Sequence, residues 1–216
     1  MPTRSFLLFA VLGTMSCGRP MLFPEPQPAD VKNLNAIPKR LYGTYVNLSE
    51  LDTLVISEKA MLLMDASSET GHRTEADSAF IVSGNVATDR KTGEQHYCVQ
   101  SGDSVTIYYY LNDTIFSFNR EDVLRKHKGY FFLNRYYPAN ETDYGSGWGV
   151  QSMYLKRGKV VLNWIGTHDD IEKLMRVTES STDTISHNLI SPTKKQFTEF
   201  ILNDGFSDGE VFVKVK

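Results

Sequence analysis

The sequence predicts a mainly β fold with two short helices, in which an antiparallel meander forms a barrel-like or sandwich sheet and a helix–strand unit closes the chain. Two observations predict this class. From residue 41 onward, short apolar runs of strand length alternate with polar breaks. Near the carboxyl end, two segments have the apolar spacing and the capping residues of helices. The chain of 216 residues, with 41% hydrophobic and 23% charged residues, is long enough to bury a sizeable core.

The chain begins with a predicted secretory signal peptide over residues 1–16. Arg4 supplies positive charge, and residues 6–12 (FLLFAVL) form a short apolar run. That run is far shorter than the roughly 20 apolar residues that a spanning helix needs. Small and polar residues follow it up to Cys17. These features indicate export from the cytoplasm.

The end of this segment, TMSC, resembles the lipoprotein box of bacterial lipoproteins, in which a signal peptidase cuts before a cysteine that carries a diacylglyceryl group. Ser16 matches the small residue before the cut, whereas Thr14 and Met15 depart from the usual pattern. The resemblance implies a lipid on Cys17 and a membrane as the first partner of the chain. The alternative is ordinary cleavage near Ser16, which leaves Cys17 as a free thiol.

Residues 17–38 are predicted to be a proline-rich tether. Five of the eight prolines lie between Pro20 and Pro38, and such a density favours extended chain at about 3.1 Å per residue. The tether could therefore hold a domain up to ~60 Å from its anchor. The alternative is an arm packed on the domain, which the apolar residues 21–23 would suit. A β-rich globular domain is predicted over residues 39–216, with an internal division near 120–140.

Strands are predicted at LYGTYVN, DTLVIS and AMLLMDA, and the clearest local structure follows at residues 95–119. There, Gly102-Asp103 and Asn112-Asp113 are two-residue turn signals between β-rich runs. Two successive tight hairpins are therefore expected, and tight turns fix the register of their strands. This register places Cys98 opposite a residue of the next strand on the apolar face of the sheet.

In detail, Cys98 is expected opposite Ile107, and Ile107 opposite Phe118, with His96, Tyr109 and Phe116 beside them. A reduced thiol buried there behaves as a small hydrophobe, so a disulfide with Cys17 is not expected.

The opposite face of these strands is predicted to be rich in tyrosine. It carries Tyr97, Val99, Thr106, Tyr108, Tyr110 and Ser117. Most aromatic residues of the chain are expected in the core, but Tyr97, Tyr108 and Tyr110 lie off the apolar face. Exposed tyrosines suit contacts with sugars, lipids or proteins, so these three are the candidate ligand-binding residues.

The carboxyl half adds a strand at KGYFFLNRYY, a hairpin that turns at the Arg-Gly pair of KRGK, two helices and a last strand at EVFVKV. Thr167 is the expected cap of the first helix, with Asp170 three residues on, close to a capping box. The second helix is expected to have Ser191 as its cap and Pro192 at its first position, and to end at Gly205.

The sequence contains no convincing catalytic pattern. GDSV resembles the nucleophile block of GDS-type lipases, but a hairpin turn accounts for Gly102 and Asp103. The five histidines are scattered, and the acids of His168-Asp169-Asp170 suit a helix start. We therefore predict no catalytic residue, no metal and no cofactor, and lean against an enzyme. The net charge of -3 and the absence of a dense basic run exclude the charge pattern of nucleic-acid-binding proteins.

Two further resemblances concern the domain. LYGTYVN, with Gly43 and Tyr45, is similar to the first strand of lipocalin-like barrels. This resemblance covers the chain from Leu41 to about Ile165. The whole chain resembles envelope lipoproteins of Bacteroidota, above all in WGVQSMYLKRGKVVLNWI and PTKKQFTEFILNDGFSDGEVFVKV. This resemblance implies a cell-envelope location and no particular activity. The acidic run that follows the cysteine in surface-exported members is missing, which favours the outer membrane with the domain facing the periplasm.

Three functional hypotheses follow. The first is a lipid-anchored envelope protein that acts as a binding or assembly module, with an envelope protein or a small ligand as its partner. The second is a lipocalin-like carrier of a small apolar ligand, which needs an open barrel. The third is an envelope hydrolase, which needs two carboxylates or a Ser–His pair in a pocket.

Overall fold

A computed structural model describes residues 21–50, 52–139, 145–180 and 190–215 of the chain. Cys17 and the predicted signal peptide lie outside the described residues. Within them, fourteen strands form one large antiparallel sheet that is accompanied by three helices. The prediction of a mainly β, antiparallel fold is confirmed. The sheet is not closed into a barrel, which corrects the barrel-like alternative, and a sandwich-like arrangement is consistent with it.

The strands are β1 (Leu22–Phe23), β2 (Asn33–Leu34), β3 (Gly43–Val46), β4 (Thr53–Ile56), β5 (Ala60–His72), β6 (Phe80–Ser83), β7 (Val86–Asp89), β8 (Gln95–Ser101), β9 (Ser104–Ser117), β10 (Val123–His127), β11 (Tyr130–Tyr137), β12 (Gly147–Lys156), β13 (Lys159–Trp164) and β14 (Asp208–Lys214). The helices are α1 (Arg73–Ala79), α2 (His168–Thr178) and α3 (Lys194–Leu202). Along the sheet the strands follow the order β2-β10-β11-β12-β13-β14-β3-β4-β5-β9-β8-β7-β6, and β1 pairs with β12.

We name as the main lobe the strands β1–β4 and β10–β14, the adjoining residues 60–65 of β5 and 111–117 of β9, and the helices α2 and α3. It has a hydrophobic core on each face of its sheet. Strand β11 shows why, because successive side chains of a strand point to opposite faces. Phe131 and Leu133 join the core built from β3, β4, β12 and β14. Phe132, between them, joins the second core, which α2 and α3 cover. Burying a side chain of this size contributes about 1.5–3 kcal/mol, so β11 stabilises both layers at once.

A distal sheet extends from the main lobe on two long strands. We define it as β6, β7, β8, residues 104–110 of β9 and residues 66–72 of β5. One of its faces packs in a small core, which we name the distal core, of Ala87, Cys98, Val105 and Ile107, with Ala76 of α1 against it. Helix α1 was not expected from the sequence. The region near 120–140, where the sequence suggested an internal division, contains β10 and β11.

The first predicted hairpin is confirmed and the second is wrong. A two-residue turn at Gly102-Asp103 joins β8 to β9, and Cys98 pairs with Ile107 as expected. Strand β9, however, continues through Asn112 and Asp113 to Ser117, and it pairs with β5 on both sides of this dipeptide. Ile107 therefore has Glu69 as its other neighbour, and the expected pairing with Phe118 does not form. The ladder with β5 overrides the local turn preference.

The predicted capping box of α2 is confirmed, with Thr167 and Asp170 satisfying each other's backbone N–H groups. The start of α3 corrects the prediction, since its cap is Thr193, which forms a capping box with Gln196. The expected cap Ser191 and the expected first residue Pro192 lie before the helix. The helix ends at Leu202, before the predicted end at Gly205.

The described part of the predicted tether is an arm packed on the domain, which corrects the tether interpretation for residues 21–38. Leu22 and Phe23 are fully buried and pair with β12. Phe23 also stacks edge-on against Phe197 of α3, with ring centroids 6.3 Å apart. The apolar side chains, and the start of β12 at Trp148 and Gly149 where β13 does not pair with it, together explain why this proline-rich segment does not extend into solvent. The described residues of the arm are therefore part of the packed structure.

None of the helices in the described parts of the chain is both long and apolar enough to cross a membrane.

Candidate functional site

The structure brings the three candidate tyrosines together on one exposed face of the distal sheet. Tyr97 of β8 pairs directly with Tyr108 of β9, and their ring centroids lie 5.6 Å apart. Tyr110 follows two residues along β9 and so points to the same side. Tyr97 is 48% exposed, Tyr110 is 62% exposed and Tyr108 is half-buried. The lipid-attachment candidate Cys17 lies outside the described residues.

These tyrosines belong to a larger surface, which we name the tyrosine face. The strand register places the following residues on it: Ser68, Thr70, His72, Ile81, Ser83, Val86, Thr88, Gln95, Tyr97, Val99, Ser101, Ser104, Thr106, Tyr108 and Tyr110. All of them are exposed or half-buried. None of these described residues is Asp, Glu, Lys or Arg. At the chain-wide charged fraction of 23%, about three would be expected in a set of this size.

Alternation along the strands explains how charge is kept off this face. The acidic residues of the same strands, such as Glu69 of β5 and Asp89 of β7, occupy positions that point to the other side. On that side Glu69 makes a hydrogen bond with Tyr109. Burial, with a smaller effect of Glu69 and Asp89, raises the pKa of the Tyr109 phenol. The acidic residues of these strands therefore lie on the side of the distal core, and the tyrosine face carries none of them.

The polar groups of the tyrosine face are mainly hydroxyls. The Oγ1 atoms of Thr70 and Thr106 lie 2.8 Å apart across β5 and β9, within hydrogen-bond distance. Hydroxyl groups donate and accept, and rotate to suit a partner, so the face can bind uncharged polar groups in either role. The tyrosine rings add apolar area with a specific orientation. The face can therefore bind a ligand through ring stacking and neutral hydrogen bonds. Ser104 and His72 are direct partners across β9 and β5, and Nδ1 of the His72 ring lies 2.9 Å from Thr74 Oγ1.

A second feature, which the sequence did not indicate, is an open groove of about 590 Å³ beside β14. It is lined by Asp208, Glu210 and Trp164 together with residues 47–50. The indole Nε1–H of Trp164 donates to Asp208 Oδ2 at 2.5 Å. Burial, and then repulsion by nearby carboxylates including that of Asp52, raises the pKa of Glu210. The two acids are two residues apart on one strand, a spacing that the sequence shows but that many ordinary strands also have.

The groove contains two carboxylates, the kind of pair that a hydrolase would use, but each has a neighbouring side chain as its hydrogen-bond partner. The carboxylate of Asp208 already accepts a hydrogen bond from Trp164, and Glu210 has Asn47 as a hydrogen-bond partner. Among the described residues, no group of three His, Cys, Asp or Glu side chains could hold a metal ion. Comparison of the chain with protein-family models, curated proteins and solved structures finds no match. The site must therefore be interpreted from its own geometry.

Proposed function

We propose that the chain is a lipid-anchored binding or assembly module of the cell envelope, and that the tyrosine face is its contact surface. The observation that carries this proposal is an exposed sheet face with three tyrosines and no charged residue. This composition supports a contact role because it differs from that of ordinary exposed sheets. Solvent-facing strands generally carry charges that keep them soluble and prevent them from pairing with other molecules. An uncharged aromatic surface of this extent is typical of an interaction site.

In this proposal the lipid on Cys17 attaches the chain to the membrane. The packed arm shortens the distance between the membrane and the domain. Met21 is buried against the second core, and only residues 18–20 separate it from Cys17. Four residues of extended chain span at most about 14 Å. The domain would therefore lie close to the membrane surface, rather than up to ~60 Å from it as a free tether would allow. The distal sheet, inserted between β4 and β10 in the chain, then projects the contact surface away from the main lobe.

The two alternative functions have less support. A lipocalin-like carrier needs a barrel whose interior is an open apolar cavity, and the sheet formed by the described residues is not closed into a barrel. A hydrolase would use the groove beside β14, whose carboxylates already have hydrogen-bond partners. The uncharged face is accounted for by neither alternative.

The anchor is tested by fractionation of cells that express the full chain. We expect wild-type protein in the membrane fraction and labelled by an alkyne-bearing fatty acid, and Cys17→Ala protein unlabelled and released from the membrane. Cys98→Ala is the matched control, because Cys98 is buried in the distal core and should leave fractionation unchanged. Retention of the Cys17→Ala protein on membranes, or labelling that depends on Cys98, would contradict the anchor.

A further inference from the structure

We infer that the ligand of the tyrosine face is a neutral polysaccharide, a chain of uncharged sugar rings that lies along the surface. This inference rests on the proposed role of the tyrosine face as a contact surface. It concerns the chemistry of the ligand and does not depend on how the chain is attached to a membrane.

Because the tyrosine face carries no Asp, Glu, Lys or Arg side chain, we expect its ligand to be uncharged as well. Anionic polymers are bound through lysine and arginine side chains, and the tyrosine face has none. A charged peptide segment would lose hydration on contact without gaining an opposite charge, which costs free energy. A ligand without charge avoids both penalties. The face and a neutral polymer are therefore complementary in charge.

The side chains of the face match the two kinds of surface that a sugar ring presents. A pyranose has an apolar C–H face that stacks on an aromatic ring, and hydroxyls at its edge that exchange hydrogen bonds. Tyr97, Tyr108 and Tyr110 supply the rings, and the serines and threonines around them supply hydroxyl partners. Gln95 adds an amide that can both donate and accept.

The arrangement of the tyrosines favours a polymer over a single small molecule. Tyr97 and Tyr108 are neighbours across two strands, with ring centroids 5.6 Å apart. Tyr110 continues the set along β9, about 7 Å further by strand geometry. A small ligand needs a concave site that buries most of its surface, whereas this face is the open side of a sheet. A chain of rings can contact the three tyrosines in succession.

A second copy of the chain fits the face less well. Five strands spaced about 4.8 Å apart and four rows of side chains give an area of only about 500 Å². A stable protein interface buries about 800 Å² on each partner, and those of permanent dimers are more hydrophobic. The large apolar residues of the face besides tyrosine are limited to Ile81, Val86 and Val99. Area and composition both disfavour a dimer.

The test measures binding of full-length wild-type protein, purified in detergent, to glycogen, dextran, yeast mannan and xyloglucan by affinity electrophoresis and calorimetry. Polygalacturonate is the anionic comparison. We expect at least one neutral polymer to bind, with an affinity that does not change between about 50 and about 500 mM NaCl. Tyr97→Ala and Tyr110→Ala should each weaken that binding about tenfold, which corresponds to about 1.4 kcal/mol. Tyr136→Ala removes a tyrosine of similar exposure, 47%, from the main lobe and should have no effect.

A charge on the face gives a second variant that is independent of the tyrosines. Thr106→Glu should abolish binding, whereas Thr44→Glu, at an exposed strand position of the main lobe, should not. Thermal melting of each variant shows whether it remains folded. The inference is overturned if no neutral polymer binds, if polygalacturonate binds better, or if wild-type protein dimerises through this face in sedimentation. These results do not depend on Cys17, so failure of the ligand assignment and failure of the anchor are separate outcomes.

Discussion

Gln27 of the arm and Asn134 of β11 exchange two hydrogen bonds in the interior of the protein. The backbone N–H of Gln27 donates to Asn134 Oδ1 at 2.6 Å, and Asn134 Nδ2 donates to the Gln27 carbonyl at 2.9 Å. Both residues are fully buried. The asparagine side chain thus takes the place of a neighbouring strand and satisfies the backbone of the arm, which would otherwise be buried without partners.

Replacing this asparagine should release the arm. Asn134→Ala leaves a buried N–H and a buried C=O of Gln27 without partners, and we expect the free energy of unfolding to fall by about 2–4 kcal/mol. Urea denaturation measures the loss. Asn119→Ala, at an exposed position, should remain within about 0.5 kcal/mol of wild type. Equal stability of the Asn134→Ala and wild-type proteins would show that the arm does not depend on this exchange.

The contact between β1 and β12 has no room for a side chain at Gly147. An added Cβ would lie 2.9 Å from the Cβ of Leu22 and 3.1 Å from the carbonyl oxygen of Phe23. Gly147→Ala should therefore cost about 1–3 kcal/mol and increase hydrogen exchange of the arm. At Gly71 the nearest atom would be Glu75 Oε2 at 3.7 Å, an ordinary contact, so Gly71→Ala is the matched control. Unchanged exchange in Gly147→Ala would contradict the packed arm.

The stability of the chain should depend on the charge of Glu210. Burial, followed by repulsion from Asp52, raises the pKa of this carboxyl above its value of about 4.3 in an unfolded chain. The free energy of unfolding therefore falls as the pH rises from the unfolded pKa to the raised folded pKa of Glu210, because the buried carboxyl becomes charged. Above the raised pKa the fall is complete. Glu210→Gln should raise the melting temperature at pH 7 and leave it unchanged near pH 4. Glu199→Gln, which removes an exposed carboxylate, should change neither; a gain for Glu210→Gln at both pH values would contradict the assignment.

The thiol of Cys98 should react slowly in the folded protein. It is fully buried, lies 3.8 Å from the carbonyl oxygen of Gly84, and burial raises its pKa. In Cys17→Ala protein, where Cys98 is the remaining cysteine, alkylation by iodoacetamide at pH 8 should be slow until urea unfolds the chain. Rapid alkylation of the folded protein would show that the distal core opens, and would remove the reason to exclude a disulfide.

Short sequence patterns correctly predicted the parts of the fold that depend on residues close together in the sequence. The turn at Gly102-Asp103 fixes the pairing of Cys98 with Ile107, because a two-residue hairpin leaves one register. The capping box at Thr167 is likewise contained within four residues. The sequence therefore placed the three tyrosines off the apolar face correctly.

The remainder depends on contacts between distant segments. Gln27 and Asn134 are 107 residues apart, so no local pattern shows that the arm is buried. The Asn112-Asp113 pair has a turn composition, but its pairing with β5 keeps it within a strand. The extent of the tyrosine face has the same origin, because β5 and β6 contribute residues to it only once the strands have paired.

The most direct test of the central claim, that the tyrosine face is the contact surface, is hydroxyl-radical footprinting of the wild-type protein in isolated cell envelopes and after purification in detergent. Tyr97 and Tyr110 should be oxidised severalfold more slowly in the envelope, where the ligand covers them, while the similarly exposed Tyr136 of the main lobe should be oxidised at the same rate in both preparations. Equal oxidation of Tyr97 and Tyr110 in the two preparations, or protection of Tyr136 alone, would contradict the account.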